Sequence, residues 1–96
     1  MQVLVNIRRL VLDVDKSLDR PTLVDLVDVI SHVQGVEGVN ITVTEMDVGT
    51  MGLNITVEGQ AIEYDTLVSN IEETGAVIHS VDEIAAGKKL IENIRP

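Results

Sequence analysis

The middle of the chain repeats one pattern of apolar and polar side chains twice. The two copies are V-N-I-T-V at residues 39–43 and L-N-I-T-V at residues 53–57. An alternation with a period of two is typical of a strand that buries one face. Gly49 and Gly52 lie between the copies and permit the chain to reverse. The pattern therefore predicts a long β-hairpin.

Strand and helix patterns alternate on both sides of this hairpin. Residues 10–15 alternate and predict the centre of a first strand, and a last strand is predicted from Ala76 to a break at Gly87. Thr22 and Asp25 have the spacing of a capping box at the start of a helix. Helix one is expected to end at Gly35 and helix two at Gly75. The apolar stripes of these helices are Leu23, Leu26, Val27, Ile30 and Val33, and then Tyr64, Leu67, Val68 and Ile71.

The resulting order, β-α-β-β-α-β, predicts an α+β, ferredoxin-like sandwich. Right-handed crossovers give an antiparallel sheet of order 4-1-3-2 with two helices on one face. We expect a single domain over residues 1–96, with its core at about residues 7–87. Residues 88–96 would be a tail or a short extra strand.

Regular alternation assigns side chains to the two faces of the sheet. The side chains expected under the helices are Leu10, Leu12, Val14, Ile41, Val43, Ile55, Val57, Val77 and Val81. The open face, on the side away from the helices, would carry Val11, Asp13, Asn40, Thr42, Thr44, Asn54, Thr56, Ile78, Ser80 and Asp82. Before Leu10 the apolar phase changes, because Val3, Val5 and Ile7 occupy odd positions. This indicates either a β-bulge at Arg8-Arg9 or a strand whose first part buries its other face against another subunit.

The composition excludes several classes of function. A net charge of -9 opposes binding to nucleic acids and to anionic membranes, and a single aromatic residue, Tyr64, leaves little for base stacking. The absence of cysteine excludes disulfides and thiolate chemistry. There is no signal peptide and no apolar run of membrane-spanning length, so we expect a cytoplasmic protein.

Two acidic pairs are candidate metal ligands. Asp13 and Asp82 are predicted on the open face of neighbouring strands, and Glu45 and Asp47 near the hairpin end. Paired carboxylates suit Ca²⁺ or Mg²⁺ better than zinc. The alternative for both pairs is a solvated rim. If the hairpin meets a neighbouring subunit, Arg8, Arg9 and Lys88 are candidate partners for its carboxylates.

His79 is the candidate for acid-base chemistry. Regular alternation places it at the position equivalent to Ile41, facing the helices, which predicts a buried structural histidine. An enzyme that uses His79 with Asp82 or Glu83 is the alternative. With no phosphate loop, dinucleotide fingerprint or zinc spacing, the sequence predicts no catalytic residue and no cofactor.

Five segments of the chain form a distinctive combination: residues 7–14, 36–41, 45–47, 57–59 and 78–83. Together they resemble the archaeal domain-of-unknown-function family 211, and the resemblance spans Ile7 to Gly87. The resemblance implies a ferredoxin-like fold and ring-shaped homo-oligomers of about six or seven subunits. It implies no established activity. An acidic residue is usual in this family where the chain has Gly49, which would leave a hairpin metal site one ligand short.

Two functional hypotheses follow. The first is a self-assembling, non-enzymatic domain with a binding or regulatory role. The alternative is a sensor of a cation or small molecule, with the ligand held by acidic residues at subunit interfaces.

Overall fold

The computed structural model describes residues 5–94 and has six elements. These are β1 (Ile7–Ser17), α1 (Leu23–Ser31), β2 (Val36–Met46), β3 (Thr50–Gly59), α2 (Tyr64–Glu73) and β4 (Val77–Ala86). The strands form one antiparallel sheet in the order β2-β3-β1-β4. This is the predicted order read from the opposite edge, and it confirms the α+β, ferredoxin-like fold. Residues 88–94 form a tail that contains no strand.

The core lies between the sheet and the two helices. The central strands β1 and β3 and both helices supply its fully buried side chains: Leu10, Leu12, Val14, Leu26, Ile30, Leu53, Ile55, Val57, Leu67 and Ile71. Burying a side chain of this size contributes about 1.5–3 kcal/mol. The outer strands contribute less, since Ile41 is partly buried and Val43 and Val81 are exposed despite their predicted core positions.

The predicted helix boundaries have clear physical causes. The Asp25 amide donates to Thr22 Oγ1, and the Thr22 amide donates to Asp25 Oδ2, both at 3.0 Å. This reciprocal pair confirms the capping box. Gly75 directly follows the last residues of α2 with φ of 101°, a conformation that favours glycine. Helix α1 ends at Ser31, so its predicted end at Gly35 was four residues too late, and Gly35, with φ of 95°, lies in the turn that leads into β2.

The phase change before Leu10 is a β-bulge. Ile7 lies opposite Ala86 and Arg9 opposite Ala85, so Arg8 is an extra residue in β1. The bulge turns Ile7 into the core, where it is only 4% exposed. The alternative, a strand that buries Ile7 on the other face, is therefore wrong. Val5 is exposed, and Val3 lies outside the described residues.

Two further bulges, both in β4, change the face of the sheet on which some of its side chains lie. Val14 lies opposite Ile78 and Asp13 opposite Ser80, so His79 is extra, and Asp82 is extra in the same way between Val81 and Glu83. Each extra residue shifts the alternation by one position. Ile78 therefore packs against the core, and Val77 is exposed opposite Asp15, the reverse of the prediction. The predicted burial of His79 was also wrong.

The connection between α1 and β2 packs closely against the connection between β3 and α2. The Gln60 amide donates to the Gly35 carbonyl at 2.9 Å, and the Glu63 amide donates to the Gln34 carbonyl at 3.0 Å. Gly59 lies at this junction, and a Cβ at Gly59 would overlap the Gly35 carbonyl oxygen. The backbone approach therefore depends on a glycine.

We expect Gly59→Ala to lower the free energy of unfolding by about 3 kcal/mol or more, because backbone atoms must separate to admit the methyl group. The matched control is Gly49→Ala, since a Cβ at Gly49 meets nothing within 4 Å. Urea denaturation of both variants measures the difference. Equal stability of the two variants would contradict the packing described here.

Candidate functional site

The open face carries rows of short polar side chains across all four strands. One row consists of Thr42, Asn54, Asp13 and Ser80. Ser80 Oγ donates a hydrogen bond of 2.7 Å to Asp82 Oδ1. The structure therefore brings the predicted pair Asp13 and Asp82 into one patch, with Ser80 as their common neighbour.

A second row places Glu45 close to Asp15, a residue that the sequence did not single out. Gly52 pairs with Glu45 on one side and with Asp15 on the other. A Cβ at Gly52 would lie 3.3 Å from Glu45 Cβ and 3.7 Å from Asp15 Oδ1. The glycine thus leaves a gap between two carboxylate side chains. Only the strand register reveals this pair, because its members lie 30 positions apart in the sequence.

Asp47, the predicted partner of Glu45, has a role in the hairpin turn. The Val48 amide donates to Asp47 Oδ1 at 2.8 Å, and the Asp47 amide donates to the Thr50 carbonyl at 2.9 Å. This is the local hydrogen bonding for which aspartate is favoured in turns. Across residues 5–94, no three histidine or acidic side chains are close enough together to hold a metal ion.

His79 lies on the surface beside the second row. Its side chain is 68% exposed, and its Nδ1 atom is 4.0 Å from Asp15 Oδ2. An exposed pair at this distance contributes little to stability. Sequence alternation misplaced His79 because it could not reveal the bulge.

Arg9 is the most heavily engaged charged residue of the open face. Its guanidinium donates to Glu92 at 2.7 Å, to Glu58 at 2.8 Å and to Glu83 at 3.3 Å. The Arg9 side chain is only 15% exposed. The hydrogen bond to Glu92, followed by that to Glu58, raises the pKa of Arg9, so it remains charged. Within one chain Arg9 binds these three glutamates, and its pairing with the hairpin carboxylates of a neighbouring subunit stays a prediction.

Arg9 and two neighbouring residues hold the tail against the start of β1. Arg8 Nη1 donates to the Lys88 carbonyl at 2.7 Å. The Gly87 amide donates to the Asn6 carbonyl at 2.8 Å, and Asn6 Nδ2 donates to the Gly87 carbonyl at 3.3 Å. With the Arg9–Glu92 bond, these contacts fasten the tail at both its beginning and its middle.

A groove of about 580 Å³ lies between the two helices. Its lining residues are Asp28, Val29, His32, Asn70, Glu73 and Thr74. His32 Nδ1 lies 2.7 Å from the Asp28 carbonyl oxygen, one turn earlier in the chain. The groove combines two carboxylates with an imidazole. Helical periodicity alone did not indicate this groove.

Comparison with known proteins supplies the family. The family model described as "Uncharacterized ArCR", DUF211, matches residues 8–96. The chain belongs to the DUF211 family. It is also similar to an uncharacterised protein of Methanocaldococcus jannaschii, with 42% identity over 89 residues, which cover 93% of this chain and 91% of that protein. DUF211 proteins are uncharacterised archaeal proteins, so membership confirms the resemblance and assigns no activity.

Within the part of the chain that the structure describes, neither helix has the length and apolar character needed to cross a membrane.

The Arg9–Glu92 bond predicts that the order of the tail around Glu92 depends on pH. This bond is the largest cause lowering the pKa of Glu92 below its ordinary value of 4.5. Because the folded pKa lies below the unfolded value, the bond stabilises the attached tail above about pH 4.5 and is lost as the pH falls through the lowered pKa.

We expect backbone order parameters of residues 90–94, measured by NMR relaxation, to fall as the pH is lowered from about 6 to about 3, because the Arg8–Lys88 bond continues to hold the beginning of the tail. Glu92→Gln should show the low values throughout this range, whereas the control Glu73→Gln should behave like the parent protein. A tail that stays ordered in acid would refute the role of this bond.

Proposed function

We propose that this DUF211 protein is a self-assembling, non-enzymatic binding or regulatory domain of the cytoplasm. The observation that carries the proposal is that, within residues 5–94, the outer strands β2 and β4 each have one edge without a strand partner. β2 has 11 residues and β4 has 10, and within residues 5–94 each is hydrogen-bonded to a strand on one side only. Neither strand contains lysine or proline, the residues that commonly prevent an edge from pairing with another chain.

Exposed apolar side chains along both flanks support the proposal. On the β2 flank they are Val43, Met46 and Val48, and α1 adds Val24 and Val27. On the β4 flank they are Val77, Val81 and Ile84. Single exposed apolar residues are ordinary, but a series along an unpaired edge is typical of an interaction surface.

The charge of the protein bears on the conditions for assembly. Copies that each carry a net charge of -9 repel one another, and salt screens this repulsion. Assembly driven by apolar side chains and strand edges should therefore strengthen with ionic strength. A closed ring of about six or seven subunits, which the family resemblance implies, would leave no free edge.

We expect multi-angle light scattering at micromolar concentration to give a defined oligomer, more complete at about 0.5 M than at about 0.05 M salt. Met46→Lys should reduce the oligomer, because it places a charge on an apolar contact. Gln60→Lys, at an exposed position between β3 and α2, makes a similar change in net charge and should leave the oligomer intact. A monomer under all these conditions would overturn the proposal.

The second candidate function is a sensor of a cation or small molecule. Two specific arrangements favour it: Asp13 and Asp82 adjoin Ser80, and Asp15 and Glu45 flank the gap at Gly52. Glu45 belongs to an edge strand, so the second arrangement would lie near a contact between subunits. Ca²⁺ or Mg²⁺ is the ligand that carboxylate and hydroxyl oxygens suit.

Under this second proposal, the melting temperature should rise when Ca²⁺ or Mg²⁺ is added, and the rise should grow with the logarithm of the concentration of excess cation. Stabilisation reaches about 2.7 kcal/mol at a hundredfold excess over Kd. Asp13→Asn combined with Asp82→Asn should abolish the shift if the first patch is used, and Glu45→Gln if the second is used. Asp65→Asn, on the exposed surface of α2, is the control. A melting temperature that neither cation changes would count against cation sensing.

A further inference from the structure

We infer that the start of β1 is a peptide-docking site, which the chain's own tail occupies and from which a segment of another protein displaces it. The segment that fits this site is non-helical and rich in basic residues, and it carries one glutamate for Arg9. The site belongs to a central strand of the sheet, so the inference does not depend on self-assembly through the outer strands.

Two consecutive arginines hold the tail through different groups. Arg8 Nη1 donates to the carbonyl oxygen of Lys88, and Arg9 Nη1 donates to Glu92 Oε1, both at 2.7 Å. Neighbouring residues of a regular strand point to opposite faces, so they do not ordinarily converge on one bound segment. The bulge at Arg8 interrupts that alternation. Both guanidinium groups therefore bind the same stretch of chain.

These two contacts define what the site recognises. Every peptide has backbone carbonyls, whereas the contact with Arg9 selects a carboxylate, the partner that a guanidinium binds most strongly. The contacts are four positions apart, from Lys88 to Glu92. The tail reaches both of them without forming a helix or strand. A glutamate four residues after the bound carbonyl is therefore the pattern that the site fits.

The tail is fastened mainly by polar contacts, which makes it easy to displace. Ile91 and Ile94 are 69% and 85% exposed, and the Glu92 side chain is 68% exposed. Exposed ion pairs contribute little to stability, and segments with few buried apolar contacts open at a low free-energy cost. The beginning of the tail stays in place, because Gly87 exchanges hydrogen bonds with Asn6.

Release of the tail deprives Arg9 of its shortest hydrogen bond. Glu92 accepts from Arg9 Nη1 at 2.7 Å, whereas Glu83 accepts from the same atom at 3.3 Å. Glu58 binds a different atom, Nε, at 2.8 Å. The Arg9 side chain is only 15% exposed, so water replaces the lost bond incompletely. A carboxylate from another molecule is the group that restores it.

Charge determines which kind of peptide approaches this site. The protein has a net charge of -9, yet residues 88–96 contain three of its seven basic residues and one of its 16 acidic residues. A peptide with the same excess of basic residues is attracted to the acidic protein, whereas a wholly acidic peptide is repelled. We therefore assign the site to a basic segment of another protein.

The tail regulates this site because it belongs to the same chain. A tethered ligand acts at a high effective concentration, on the order of millimolar for a short connection. A free peptide competes poorly with the tail while the Arg9–Glu92 bond is intact. Loss of the Glu92 carboxylate removes this competition and leaves the rest of the site unchanged.

Peptide binding to the full-length chain tests the inference. The probe is a fluorescently labelled peptide with the sequence of residues 88–94, K-K-L-I-E-N-I, whose terminal charges are blocked. Its matched control, K-K-L-I-Q-N-I, has glutamine in place of glutamate. The proteins are the parent chain, Glu92→Gln, and Glu73→Gln as the control at the exposed end of α2.

We expect fluorescence polarisation to show that Glu92→Gln binds the glutamate peptide at least about tenfold more tightly than the parent or Glu73→Gln, because its own tail no longer competes. The glutamine peptide should not bind detectably. The bound peptide should shift the NMR signals of the Arg8 and Arg9 side chains. Adding Arg9→Gln to Glu92→Gln should abolish binding, and an unchanged melting temperature verifies that this variant folds.

Several results would overturn the inference. Absence of binding to Glu92→Gln would remove the site, and equal binding of both peptides would show only general charge attraction. Equal binding by the parent and Glu92→Gln would show that the tail does not regulate the site. Shifts confined to β2 or the helices would place binding elsewhere. Arg9 shifts on mixing isotope-labelled Glu92→Gln with unlabelled parent protein would show that copies exchange tails, against the assignment to another protein.

Discussion

Burial of Leu10, Leu12 and Val14 beneath the helices is the interaction on which the rest of the molecule depends. These side chains of the central strand β1 are fully buried. Because strand side chains alternate, their burial places Arg9, Asp13 and Asp15 on the opposite, open face. This burial therefore determines the positions of the tail attachment at Arg9, the carboxylate patch at Asp13 and the gap beside Asp15. The bulge at Arg8 extends the same core by turning Ile7 inward as well.

A difference in length between helices and strands shapes the surface. Helix α1 has nine residues and spans about 14 Å, whereas β2 has 11 residues and spans about 36 Å. The helices cannot cover the whole sheet, so the hairpin end and the outer strands remain exposed with their apolar side chains. The exposed edges and flanks therefore follow from the difference in length between the helices and the strands. They are also the surfaces through which the proposed assembly would form.

Charge distribution complements this arrangement. The chain is strongly acidic, yet one of its few cations, Arg9, gathers three glutamates from β3, β4 and the tail. This cluster reduces repulsion on the open face and ties the tail to the sheet. Two other acidic pairs of the open face adjoin Ser80 and Gly52, and within residues 5–94 no group of three histidine or acidic side chains is close enough together to hold a metal ion.

The sequence by itself determined the elements, their order, the start of α1 and the end of α2, because these depend on local periodicity, on the Thr22–Asp25 cap and on the glycine at position 75. It also placed Asp13 and Asp82 on one face. Tertiary structure alone decided the face of His79, the proximity of Asp15 to Glu45 and the partners of Arg9. The faces of β4 follow from extra residues at His79 and Asp82, and a bulge depends on how two strands pair rather than on the pattern within one of them. Partners such as Arg9 and Glu92 lie 83 positions apart, so only the folded chain brings them together.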